Sequence, residues 1–320
     1  MVGSTAKFIA YEMRPAKQTE RRGIVEYLSV ANAAGLTIPR YRYVGFGGTK
    51  FVDFQLMKSH IGFSSYQSIE QDPDIIDRCK FNRPFPGISL FEGGLSDFLA
   101  ADEYEGNSVF WLDYEGGPTS KLTQELNTVG VRANLGDIVF VSVSGELPTR
   151  LERATDKLGY LRSILPARAA SINRLNPIDF TTKKYPDTVG RLLVEMLQSS
   201  FSVRLLDGRF YPRFRVIYKD STWMVTVGGS FVRNRSRVVG RMNKLLSVQL
   251  DAMCPRDRHT FYRIPNFNFS QLERLLIEKS CIGKRSLYFR RLKSLGISEQ
   301  DLIEFERIAR FVPRYAEVAF

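Results

Sequence analysis

The sequence predicts an α/β fold, a mostly parallel sheet with helices on both faces that ends in an antiparallel hairpin. Three observations lead there. Up to residue 145, short β-branched and aromatic runs alternate with apolar residues at helical spacing, the signature of βαβ units. Two of those runs, "SVFWLDYEG" and "DIVFVSVSGE", have near-continuous apolar centres, as in strands covered on both faces. Later, "RFRVIYKDSTWMVTVGGSF" reads as two strands separated by a short polar turn at residues 219–221.

The elements follow in order. Ile24, Tyr27, Leu28 and Ala31 share one helical face, with Thr19 as the expected N-cap and Gly35 as the stop. The first strand is "RYRYVG", the second "SYQSIE" and the third "GISLFEG"; the two apolar runs are the fourth and fifth. Helical patterns at 73–81 and 119–129 lie between strands, and 151–165 and 187–201 read as amphipathic helices. Pro166, Pro177 and Pro186 mark an irregular insertion over about 166–186. The hairpin supplies strands six and seven. Residues 270–280, 285–295 and 298–311 again repeat apolar residues at helical spacing. The expected organisation is an α/β domain over 1–235 and a basic helical module over 236–320.

Composition excludes several classes. With 320 residues, 43% of them hydrophobic, a sizeable core is within reach. No apolar run approaches the roughly 20 residues of a membrane span. The opening "MVGSTAKFIAYEMRP" lacks the pattern of a secretory signal, and the cytoplasm is the expected location. Cys79, Cys254 and Cys281 are far apart and odd in number, which argues against a disulfide framework or structural zinc. His60 and His259 are the only histidines, so a Ser-His-Asp triad has almost no raw material and no metal site is expected. Charge is uneven. Residues 1–150 hold 15 Lys and Arg against 18 Asp and Glu, whereas 151–320 hold 31 against 16, a half suited to a polyanion.

The densest glycine cluster, in "YRYVGFGGTKFVDF", follows the first strand. A phosphate-binding Walker loop fails on spacing, because Thr49 precedes Lys50 and no Ser or Thr follows. A G-x-G-x-x-G fingerprint would need glycine where Lys50 stands. What remains is a shorter G-x-G-G turn with Glu70 at the end of the second strand, where a carboxylate can accept from both hydroxyls of a ribose. Asp97 follows the third strand, within reach of an adenine amino group. Asp113 ends the fourth strand, at the carboxyl edge where open α/β sheets bind ligands. Glu70 and Asp97 can equally cap helices. Asp113, directly after "VFWL", is costly to bury unless a partner or ligand uses it.

Together these features, over about residues 20–232, resemble the class I S-adenosylmethionine-dependent methyltransferase superfamily. Its Rossmann-like seven-stranded sheet ends in an antiparallel seventh strand. The resemblance implies that Gly45, Gly47 and Gly48 line the methionine-ribose part of the cofactor, that Glu70 holds the ribose, and that Asp97 lies by the adenine. It implies Asp113 as the catalytic residue beside methyl donor and acceptor. Tyr43 is a departure within the same cofactor site. The superfamily usually carries an acid there, two positions before the first glycine, which organises the loop and the cofactor's amino-acid end.

The acceptor is narrowed by what is missing. Base-amino methyltransferases of this superfamily carry Asn/Asp-Pro-Pro-aromatic after the fourth strand, where this chain has Asp113-Tyr114-Glu115-Gly116. The cytosine-C5 Pro-Cys is also absent, and "WLDYEGGPT" looks most like an O-methyltransferase. Residues 203–244 hold ten Lys and Arg against two acids, with Tyr211, Phe214, Tyr218, Trp223 and Phe231 interleaved. Arg233, Arg235, Arg237 and Arg241 are the expected contacts to the phosphates of RNA or DNA, with the aromatics either stacking on bases or packing under the sheet. The C-terminal helices offer a surface for a protein partner. Two functions therefore stand: an O-directed methyltransferase whose acceptor is a nucleic acid or nucleotide, and an inactive fold serving as a nucleic-acid- or protein-binding module.

Overall fold

The computed structural model describes residues 14–313, apart from 105, 149–150, 152, 203–207, 235, 258, 268 and 281–284. Among the described residues the strands are β1 (Arg42–Gly45), β2 (Ser65–Glu70), β3 (Ile88–Glu92), β4 (Ser108–Asp113), β5 (Ile138–Ser144), β6 (Gly208–Lys219), β7 (Trp223–Arg233) and β8 (Tyr262–Arg263). They form one sheet in the order β3-β2-β1-β4-β5-β7-β6-β8, parallel throughout except for β7, which is antiparallel to both its neighbours. The expected seven strands are all present, and β8 is an eighth. It is only two residues long, too short to carry a readable alternation.

The helices are α1 (Pro15–Ala33), α2 (Val52–His60), α3 (Ile76–Phe81), α4 (Leu95–Ala101), α5 (Ser120–Arg132), α6 (Ala154–Ile164), α7 (Ala169–Ile172), α8 (Tyr185–Ser200), α9 (Arg237–Gln249), α10 (Gln271–Ser280), α11 (Arg285–Ser294) and α12 (Glu299–Ile308). Two cores follow from the two faces of the sheet. On one face Tyr27, Phe54, Trp111, Phe140 and Phe214 pack with residues of α1, α2 and α9. On the other, Val44, Leu112, Val141 and Phe231 pack with α4, α5, α6 and α8. Burial of both faces is what made β4 and β5 apolar end to end. A third small core, around Leu292, Leu302 and Phe305, joins α10, α11 and α12, whereas Met242 and Leu246 of α9 belong to the first.

The first helix starts earlier than expected. Thr19 is not its cap; it lies buried inside α1 with Oγ1 donating to Pro15 O at 2.9 Å. Pro15 opens the helix, and the carboxylate that accepts from the N–H groups of Ala16 and Lys17, at 3.0 Å each, comes from Asp220 in the hairpin turn. A residue more than 200 positions away thus sets where α1 begins. The insertion contains short helical turns at Pro166–Arg168, Ala169–Ile172 and Pro177–Phe180. Phe214, Tyr218 and Phe231 are buried, so of the two roles open to these aromatics theirs is packing under the sheet.

Candidate active site

The strand order reverses between β1 and β4, and the carboxyl ends of those strands form the crevice in which open α/β sheets bind ligands. Gly45 pairs in register with Ser68 on one side and Trp111 on the other. The glycine loop, Glu70 and Asp113 therefore meet at one edge.

The three loop glycines have different causes. A Cβ on Gly47 would lie 2.6 Å from the Phe51 ring and 2.7 Å from Ser68 Oγ, which already accepts from Gly47 N at 3.2 Å. A Cβ on Gly45 would sit 3.1 Å from both Trp111 O and the Tyr43 hydroxyl. The protein's own packing accounts for these two. Gly48 is different: its φ is +53° and a Cβ there would meet nothing within 4 Å. Phe51, three residues further on, is buried with φ of 51°, a left-handed conformation that a bulky residue adopts only where its surroundings impose it.

Glu70 is half-buried, and Oε1 accepts from Asp72 N at 2.8 Å. Burial pushes its carboxyl above the usual range, against the pull of the Asp72 and Gln71 N–H groups. Asp97 is exposed in the first turn of α4, where Oδ2 accepts from Gly94 N at 3.2 Å. The capping role open to Asp97 is therefore present, at the same edge as Glu70.

Tyr43 is buried, its ring edge-on to Phe54 at 4.9 Å and tilted against Phe63 at 5.5 Å. Burial first, then Asp53 and Asp113, push its phenol well above the ordinary range, opposed by Arg21 and Lys17. Those four charges form a cluster that the motifs of the sequence do not announce. Lys17 Nζ lies 2.8 Å from both Asp113 Oδ2 and Glu20 Oε2, and Arg21 Nε lies 2.5 Å from Asp53 Oδ1. Lys17, Glu20 and Arg21 are turns of one helix face presented to the sheet. Glu20 is fully buried; Ser142 Oγ donates to it at 3.2 Å and Thr226 Oγ1 also reaches it. Trp111 Nε1 in turn donates to Ser142 Oγ at 3.4 Å. Burial alone would depress the Lys17 ammonium, but Asp113 and Glu20 outweigh it and hold it well above its usual range. Lys17 is thus ion-paired with Asp113 from the buried side of the crevice.

On the other side of the crevice, Tyr114 Oη donates to Glu125 Oε2 at 2.7 Å and packs edge-on against Phe46 at 5.2 Å. Lys121 Nζ donates to Gln71 Oε1 at 3.2 Å, which ties α5 to the loop after β2.

The arginine cluster lies elsewhere. Asp113 pairs with Ser142 of β5, and Ser142 with Thr226 of β7. Arg233 is seven residues further along antiparallel β7, hence about 23 Å away toward the opposite edge. Arg237 and Arg241 are exposed on α9, and Arg233 is exposed at the end of β7. Arg235 lies outside the described residues, as does Cys281. Cys79 and Cys254 are buried and unbridged, and burial pushes the Cys79 thiol up to about 11, as befits a packed thiol. Among the described residues no group of three or more His, Cys, Asp or Glu is placed to hold a metal ion, and no helix is long and apolar enough to cross a membrane.

A parallel sheet ordered 3-2-1-4-5-7-6 with β7 reversed, and a glycine turn at its switch point, is the class I S-adenosylmethionine-dependent methyltransferase fold. The chain belongs to the family described as "Putative O-methyltransferase", whose model matches residues 9–320. No curated protein matches the sequence. Similar solved structures include Trm1 from Pyrococcus horikoshii with S-adenosyl-L-methionine, at 12% identity and a TM-score of 0.48 over 71% of this chain and 58% of that one. Human N-acetylserotonin methyltransferase in complex with the same ligand matches at 14% identity and 0.35, over 69% and 57%. Methanococcus jannaschii fibrillarin, a pre-rRNA processing protein, matches at 11% and 0.36, over 65% and 75%. The chain spans less than two thirds of the length of the first two.

Proposed function

We propose that this protein is an O-directed methyltransferase in which Asp113 aligns the acceptor hydroxyl and Glu70 holds the cofactor ribose. The observation that carries the reading is Asp113 itself, a partly exposed carboxylate at the switch point whose negative charge is balanced from behind by a buried lysine.

The residues suit S-adenosylmethionine. Gly48 leaves open space for close backbone approach, and Glu70 offers a half-buried carboxylate that accepts from the Asp72 and Gln71 N–H groups. When bound, the cofactor supplies an electrophilic methyl group on a sulfonium. The chain's contribution is then alignment, plus acceptance of the hydroxyl proton. Asp113 can accept a hydrogen bond from an acceptor hydroxyl, and Lys17 keeps that carboxylate in one position. The edge-on Phe46–Tyr114 pair lies beside the crevice, Phe46 within the glycine loop and Tyr114 next to Asp113.

Nucleic acid as the acceptor is supported by the basic second half and, at the reacting edge, by Lys219, whose ammonium lies 5.4 Å from the Trp223 ring. Calorimetry with S-adenosylmethionine is the first test. Glu70→Ala should weaken binding about tenfold or more, because two hydrogen bonds to a charged acceptor disappear. Asp113→Asn should lower turnover far more than affinity. Absence of binding at millimolar cofactor would refute the enzyme and leave the binding module.

A further inference from the structure

We infer that Asp53 supplies the carboxylate that Tyr43 replaces, and that it holds the ammonium at the methionine end of S-adenosylmethionine. The inference rests on the cofactor reading above.

Tyr43 fills the space beneath the glycine loop with a neutral ring, its hydroxyl close under Gly45. Two ion pairs stand near that hydroxyl, Arg21–Asp53 and Lys17–Asp113. Both are oriented alike. Each cation is 3% exposed, whereas the Asp53 and Asp113 side chains are 13% and 21% exposed. The carboxylates are the outer partners and the cations lie behind them. A surface of that polarity suits a ligand's ammonium and repels its carboxylate.

Asp113 ends β4, where the methyl group and its acceptor meet. Asp53 belongs to the first turn of α2, immediately after the glycine loop and on the same side as Tyr43. Arg21 fixes the orientation of Asp53 with a charge-assisted hydrogen bond, so little side-chain freedom is left to lose on binding.

Three ligands separate the parts of the site: S-adenosylhomocysteine, its deaminated analogue, and methylthioadenosine, which lacks the amino-acid end. Calorimetry on the wild-type protein should show a loss of about tenfold or more when the amino group is removed. Asp53→Asn, which keeps an oxygen for Arg21, should weaken S-adenosylhomocysteine to the level of the deaminated analogue and leave the other two ligands unchanged. Glu70→Ala should weaken all three alike. Equal wild-type affinity for the first two ligands overturns the role of Asp53, and needs no variant to fold. So does an Asp53→Asn loss shared by methylthioadenosine. Failure of all three to bind refutes the cofactor reading itself.

Discussion

Replacing Lys17 with methionine tests whether the charge cluster is built as described. The side chain is 3% exposed and neutralises two carboxylates, of which Glu20 is fully buried and Asp113 is not. Removing one partner of a buried ion pair costs about 3–5 kcal/mol, because the remaining charge stays uncompensated. Asp113 can recover water, so the lower end applies, and we expect about 3 kcal/mol at neutral pH. For a chain of 320 residues that is a fall of roughly 4–5 °C in Tm. The pH dependence has a definite sign. Burial raises the Glu20 carboxyl above its ordinary 4.5, while Lys17 opposes it. A raised acid costs stability above its folded pKa, and that cost disappears as pH falls toward the unfolded value. Without Lys17 the cost is larger, so the gap between variant and wild type should narrow on acidification from neutral pH toward 4.5. The raised Lys17 ammonium contributes throughout that window, since its share is lost only as pH rises through its folded pKa. Urea denaturation over this range measures the gap. A difference below about 1 kcal/mol at neutral pH, the scale of an exposed pair, or one that widens in acid, would refute the reasoning.

Three further outcomes are expected. Gly130→Ala would place a methyl 2.2 Å from Ser200 O, where α5 meets α8 backbone to backbone, and should cost about 3 kcal/mol in denaturation because no rotamer relieves it. Cofactor affinity should fall as pH drops toward the raised Glu70 carboxyl, already above its ordinary 4.5, and Glu70→Gln should flatten that dependence in calorimetry. Replacing Arg233, Arg235, Arg237 and Arg241 with glutamine should reduce the slope of log affinity for RNA or DNA against log salt by about 0.7–0.9 for each phosphate no longer neutralised, with Tm nearly unchanged. A sharp fall in Tm with an unchanged slope would make those arginines structural.

What could be read from the sequence was whatever local chemistry determines. The runs of β4 and β5 announce themselves because each residue must be apolar on both faces, and Gly45, Glu70 and Asp113 because they follow strands directly. Lys17 and Glu20 could not be found that way. Their partners Asp113, Ser142 and Thr226 are nearly 100 to more than 200 residues distant, and only the docking of α1 brings them together. The misplaced start of α1 had the same origin. Thr19 looks like a cap, but Asp220 takes the N–H groups, so Lys17 falls inside the helix and on its buried face. The signal that was present is the spacing of Lys17, Glu20 and Arg21, three charges on the same side as Ile24, Tyr27 and Leu28.

The arginine cluster shows the opposite limit, because its composition was legible and its position was not. β7 runs against the rest of the sheet, so a residue at its end lies at the edge where the parallel strands begin. Arg233 is consequently about 23 Å from the level of Asp113, roughly seven steps of a duplex at 3.4 Å each. A mononucleotide acceptor at Asp113 cannot reach it. If the arginines serve the reaction, the acceptor is a polymer long enough to pass from one edge of the sheet to the other, and their removal should weaken long oligonucleotides while leaving short ones unaffected. If short and long acceptors respond alike, the cluster and the site act independently. The cation that matters for the acceptor is then Lys219 at the reacting edge, over Trp223.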